Sequence, residues 1–228
     1  MTARRYLSAA PFNNAAPDGR VSDCSLRSLL LDLPAGAQAL YGHRHFHEGG
    51  LEANASSMIV LSEHNATWAR EFLSEAERIR PAFGALLIKL HHIGSTAVPG
   101  IRAKPIIDML AVVSDVCALD TRTVSFEALD YEVMGEFGLA GRRYFRRNDS
   151  GGIRTHQVHA FAPESSGEIE RHLNFRDYLR EHARTAHAYS DLKQVLLGQC
   201  HDDMRCYSDG KTAFIREVEQ LAARANAK

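Results

Sequence analysis
The sequence predicts a mixed α/β (α+β) domain in which a sheet is flanked by helices and followed by a helical C-terminal part. Three observations carry this. Residues 106–113 form an eight-residue run, apolar apart from Asp108, as expected of a strand covered on both faces. Shorter strand-like runs stand before and after it, between Gly and Asn/Asp turns. From His172 onward the apolar residues fall at helical spacing, in three amphipathic stretches.

The elements follow in chain order. Residues 1–57 carry Pro11, Pro17 and Pro34 with only one short apolar stretch, and read as a poorly ordered extension. Within it, His43, His45 and His47 alternate without a second ligand cluster, the pattern of a solvated loop. The domain is expected over residues 58–228. Residues 58–61 read as a short strand. Ser62 or Asn65 caps a helix to about Arg80, with Trp68, Phe72, Ala76 and Ile79 on its core face and Pro81 as its stop. Residues 86–91 and 106–113 read as strands, and residues 127–137 and 150–161 supply further strand material. The helical part holds Leu173, Tyr178 and Leu179, then Tyr189, Leu192, Val195 and Leu196, then Phe214, Ile215, Val218 and Leu221.

Composition narrows the function. The 228 residues carry a formal net charge of −1, which gives no electrostatic case for nucleic acid or an acidic membrane surface. No apolar run reaches the ~20 residues of a membrane span, and the start has no signal-type apolar core, so a cytoplasmic protein is expected. Cys24, Cys117, Cys200 and Cys206 lack metal-ligand spacing and read as free thiols in a reducing compartment.

The chemistry concentrates in residues 91–113. Gly94 lets the backbone approach a ligand, and Ser95 adds a hydroxyl in a turn whose amides can cradle an anion. Asp108 interrupts the most apolar strand. A carboxylate there needs a cation, a donor set or a wet strand end, and a divalent ion carrying phosphates meets that need. Lys104, four residues earlier, is placed to touch a phosphate or to pair with Asp108. Arg142, Arg143, Arg146 and Arg147 crowd one segment, and Arg176 and Arg180 share a helix face; such forks suit phosphate or carboxylate, or plain ion pairing.

Gly94-Ser95 followed by Asp108 in Ile-Asp-Met-Leu resembles the glycine-serine and paired-acid signature of the nucleotidyltransferase superfamily. HIGSTAVPGIRAKPIIDMLAVV is similar to the diagnostic stretch of the GrpB family. GEFGLAGRRYF, HQVHAF, HLNFRDYLR, YSDLK and YSDGKTAFI resemble further GrpB blocks in order, over about residues 57–225. The resemblance implies a nucleotidyltransferase-like mixed sheet and a metal-dependent transfer of a nucleotidyl group from a nucleoside triphosphate to a small acceptor. It implies Mg²⁺ or Mn²⁺ on Asp108, with His159 as a replacement ligand, and Asp108 and Lys104 as catalytic groups. His92, Gly94, Ser95, Thr96, Arg143, Arg176 and Lys193 would bind phosphate or an anionic small-molecule substrate. A functional link to dephospho-CoA kinase is implied by the family alone. The sequence departs from the pattern at Leu110, where the second acid is expected. The alternative is a non-catalytic binder of a small anionic ligand, phosphorylated or carboxylated, on the same scaffold.

Overall fold
The computed structural model of the chain describes residues 60–201 and 203–226. The expectations for residues 1–57, including the histidine cluster, and for Met58 and Ile59 lie outside the described residues.

Helix α1 spans Thr67–Phe83. Asn65 opens it, its Oδ1 accepting from the Thr67 amide at 2.9 Å. Pro81 does not stop it: the helix runs through the proline to Gly84, because Ala82 and Phe83 bury fully against the sheet. The strand expected at residues 58–61 is absent at Val60 and Leu61. In its place Ser62 makes an isolated antiparallel bridge to Ala103.

Five strands form one sheet: β1 (Leu87–Ile93), β2 (Ile107–Val113), β3 (Tyr131–Val133), β4 (Arg142–Asn148) and β5 (Arg154–Phe161). Their order is β1-β2-β5-β4-β3, with β2 and β5 parallel and the other pairs antiparallel. The sequence reading finds β1, β2 and β5. It overextends β3, which is cut short by a turn at Asp130 (φ 60°), and it reads β4 only as a basic cluster. Two short helices, α2 (Val116–Leu119) and α3 (Thr123–Glu127), fill the connection after β2.

Alternation along the strands assigns each residue to a face. Ile107, Met109, Ala111 and Val113 of β2 join Phe145, Val158 and Ala160 on one face, the back, with Trp68, Ile79 and Phe83 of α1 and Phe126 of α3. The front face carries Asp108 and Leu110 of β2, His159 and Phe161 of β5, and Arg142 and Tyr144 of β4. The C-terminal helices are α4 (Ser166–Glu181), α5 (Ala183–Cys200) and α6 (Met204–Asn226). They pack on one another through Leu179, Tyr189 and Val218. Helix α4 rests on the front through Ile169 and Leu173, against Ile93, Leu110 and Phe161. Among the described residues, no helix is long and apolar enough to cross a membrane.

The cysteines depart from the free-thiol expectation. Cys200, the last residue of α5, and Cys206, in the first turn of α6, form a disulfide, with Cα atoms 5.5 Å apart across the chain reversal at His201. Cys117 is disulfide-bonded as well.

Candidate functional site
The site begins where β1 ends. Gly94 follows Ile93 with φ +70°, a conformation that L side chains rarely adopt. A Cβ at this position would strike Oδ2 of Asp108 and lie 3.0 Å from the Asp108 Cβ. Glycine therefore lets the turn at Ser95–Ala97 lie directly against the carboxylate. The register supports this, since Ile93 pairs with Asp108 across β1 and β2.

A cavity of about 420 Å³ opens on the front face between this turn, the sheet and helices α4 to α6. Asp108 faces it, and among the described residues the carboxylate accepts no hydrogen bond and makes no ion pair. Burial pushes its pKa up to about 6, against the opposing pull of Lys104, Lys211 and Arg154. Lys104, Lys193 and Lys211 all line the same cavity, together with Arg142. Burial and the neighbouring Lys211 bring Lys193 down to about 7. Burial and Lys104 bring Lys211 down to about 8, although Asp108 opposes the shift.

Tyrosines seat the lysines. The Lys193 ammonium lies 4.7 Å from the ring centre of Tyr189, and Lys211 lies 4.5 Å from that of Tyr207. Lys104 approaches the same Tyr207 ring at 5.0 Å, with its Nζ 3.1 Å from Met204 Sδ. Three lysines and Arg142, whose guanidinium donates to the Glu136 and Phe137 carbonyls, thus share one cavity with a single carboxylate, in a space of the size that holds a small ligand.

Of the residues expected to act, Gly94, Ser95, Thr96, Lys104, Asp108, His159 and Lys193 are brought together around this cavity. His92, Arg143 and Arg176 are not. His92 points to the back, stacks on Phe72 at 4.8 Å and bonds Thr96 Oγ1 at 3.0 Å. The Thr96 hydroxyl donates to the Ile106 carbonyl, so it accepts from the His92 Nε2–H. Burial lowers the His92 pKa to about 4, which keeps the ring neutral. Arg143 also points to the back and makes a two-pronged pair with Asp120, at 2.5 and 2.7 Å. Arg176 pairs with Asp177 and donates to the His92 carbonyl at 3.0 Å, tying α4 to β1.

The donor set does not fit a two-ion centre. Leu110, where a second acid is expected, is fully buried against Ile93 and Phe161. His156 and His159 fall on opposite faces, as their spacing requires. His159 sits opposite Leu110, while the partner of Asp108 across the strands is Gln157. Burial lowers the His159 pKa well below the ordinary histidine range, so its ring is neutral. No group of three or more His, Cys, Asp or Glu side chains suited to a metal ion occurs among the described residues. A single carboxylate among three lysines is a poor cation site.

Comparison with known proteins decides the family. The GrpB protein family model matches residues 58–221. The chain belongs to the GrpB family. The crystal structure of conserved protein GrpB from Enterococcus faecalis superposes with a TM-score of 0.70 at 39% identity, over 74% of this chain and 100% of that one. UPF0157 protein YqkA of Bacillus subtilis is 44% identical over 161 residues, 71% of this chain but only 46% of YqkA. The match to this relative therefore spans less than half of its length. UPF0157 protein BH1888 of Halalkalibacterium halodurans is 35% identical, over 74% of this chain and 84% of the relative.

In this GrpB domain, the sequence placed Arg142 only within a basic cluster suited to phosphate or carboxylate and assigned no specific site role to Tyr144, Tyr189, Tyr207 or Lys211; all five line the cavity. A signal for three of them was present. The pentads Tyr189-Ser-Asp-Leu-Lys193 and Tyr207-Ser-Asp-Gly-Lys211 repeat one pattern, and in a helix it places tyrosine and lysine on the same face, four residues apart.

Proposed function
We propose that this GrpB-family chain binds a small phosphorylated molecule in the front-face cavity without a metal pair. One observation carries the reading: Lys104, Lys193, Lys211 and Arg142 line the same cavity as a single carboxylate, Asp108. Lys193 is held below its ordinary pKa by burial and by Lys211, and Lys211 by burial and by Lys104. A dianion entering beside Lys104 and Lys211 relieves their repulsion and favours their protonated forms.

Calorimetry with inorganic phosphate and pyrophosphate, with and without Mg²⁺, tests this. Binding is expected without Mg²⁺. Asp108→Asn should tighten it several-fold, because the carboxylate repels the incoming anion. Absence of heat for both anions under both conditions would sink the proposal.

A second reading is metal-dependent nucleotidyl transfer from a nucleoside triphosphate. The fit of the Gly94 turn against Asp108 favours it. It expects the opposite response, with triphosphate binding that requires Mg²⁺ and is lost in Asp108→Asn.

A further inference from the structure
Ser95 and Lys193 stand in a relation that ligand binding alone does not use. The Nζ of Lys193 lies 3.0 Å from the Ser95 Oγ and also donates to the backbone carbonyl of Arg102. Lys193 is 2% exposed, so bulk solvent screens these contacts little. The Arg102 carbonyl holds one N–H of the amine. When Lys193 is neutral, its lone pair is left to accept the serine proton. A nucleophile, a base and a third group that orients the base make up the constellation of covalent catalysis.

We propose that Ser95 is a nucleophile with Lys193 as its general base, and that the cavity transfers the phosphoryl group of a phosphate monoester through a phosphoserine. The proposal rests on the reading of the cavity as a site for phosphorylated ligands. In the first step the Ser95 Oγ–P bond forms while the bond from phosphorus to the ester oxygen breaks. The Oγ proton passes to Lys193 Nζ and from there to the departing alcohol. In the second step a water oxygen attacks phosphorus and its proton goes to Lys193. The Oγ–P bond breaks, inorganic phosphate leaves, and the proton returns to Ser95. Lys104 and Lys211 face the charge that accumulates on the phosphoryl oxygens.

The charge environment suits the base. Lys193 is faced by Tyr189 from its own helix, by Ser95 and the Arg102 carbonyl from the segment between β1 and β2, and by the charge of Lys211 from α6. Asp108 and Lys104 share the cavity. Burial holds the Tyr189 phenol far above neutrality, so it stays protonated. With a pKa brought down to about 7, Lys193 is a base at neutral pH, which an ordinary lysine is not.

The experiment incubates the full chain with p-nitrophenyl phosphate and quenches it in acid. Phosphoserine is sought by peptide mass spectrometry, and p-nitrophenolate release is followed in parallel. Calorimetry with inorganic phosphate accompanies both. The expected result is phosphate on Ser95 in the native chain and none in Ser95→Ala, with inorganic phosphate bound by the native chain. The rate should rise as pH passes through about 7, and should fall at least about tenfold in both Lys193→Met and Lys193→Arg. Lys193→Arg keeps the charge and most of the packing, so a folding defect in Lys193→Met does not blur the result. Bound phosphate with neither phosphoserine nor nitrophenolate release overturns the proposal and leaves the cavity reading standing. An undiminished rate in Lys193→Arg overturns the role of the base. Failure to bind inorganic phosphate at all brings down the cavity reading as well.

Discussion
The two faces of the sheet handle charge in opposite ways. On the back, the buried charges of Glu75 and Arg143 are both matched among the described residues. Glu75 receives Arg78 at 2.8 Å, the Tyr131 hydroxyl at 2.8 Å and Arg147 at 3.2 Å. Burial works against its ionisation, yet those bonds and the nearby charges hold its pKa below the ordinary carboxylate range. Arg143 is matched by Asp120. On the front, Asp108 and the lysines share a cavity without closing on one another, and the carboxylate is pushed up while the amines are pushed down. A fold neutralises the charges it keeps for its own stability. Charges left mutually strained are what a ligand can relieve.

The largest effect that would break this contrast is at Glu75. Glu75→Gln leaves Arg78 and Arg147 without their buried counter-charge and should cost about 3–5 kcal/mol in chemical denaturation. Phosphate affinity of the protein that remains folded should not change. A loss below about 1 kcal/mol would show that the back face is not held by this network.

Next comes the arginine pair at the start of β4, where neighbouring residues point to opposite faces. Arg143→Ala should destabilise by about 2 kcal/mol, less than Glu75→Gln because Asp120 is partly exposed and rehydrates. It should leave phosphate affinity unaltered. Arg142→Ala should weaken phosphate binding several-fold. If Arg143→Ala is the variant that loses affinity, the assignment of faces is wrong.

The smallest effect on stability, and the sharpest on the comparison, is at Lys211. Its folded pKa of about 8 lies below the ordinary value of 10.5, so the folded state binds fewer protons than the unfolded between those values. Stability should therefore rise with pH across that window. Lys211→Met removes this contribution, flattens the rise and should raise the melting temperature of the ligand-free protein at pH 7 by about 2–4 °C. The same variant should bind phosphate about tenfold more weakly, which corresponds to ~1.4 kcal/mol. A fall in melting temperature would mean that the lysine is structural.

Much of this was legible in the sequence, for identifiable reasons. The strand β2 declared itself because a run buried on both faces must be apolar, and Asp108 stood out against it. Gly94 declared itself because a turn against a carboxylate has no room for a side chain. Strand β4 was hidden because its alternation is of arginine with aromatics, so charge masked a buried strand. Arg143 and Arg176 were read toward the ligand because a sequence shows that an arginine is present but not which carboxylate or carbonyl engages it. The cysteine pairing was hidden because a separation of six reports nothing until the reversal between α5 and α6 brings Cys200 and Cys206 together.

The contact between Lys193 and Ser95 joins residues 98 positions apart. Closing so long a loop is slow in the search for the native state and yields nothing until both ends are in place. A chain emerging from its N-terminal end has the Gly94 turn and Asp108 before it has either pentad lysine. On the proposed reading, ligand capture is a late event in folding: the sheet can assemble first with Asp108, Lys104 and Arg142, and the cavity gains Lys193 and Lys211 only when the last helices dock. A phosphate-bearing ligand would then act as a latch on a nearly finished structure, selecting chains whose C-terminal helices have closed.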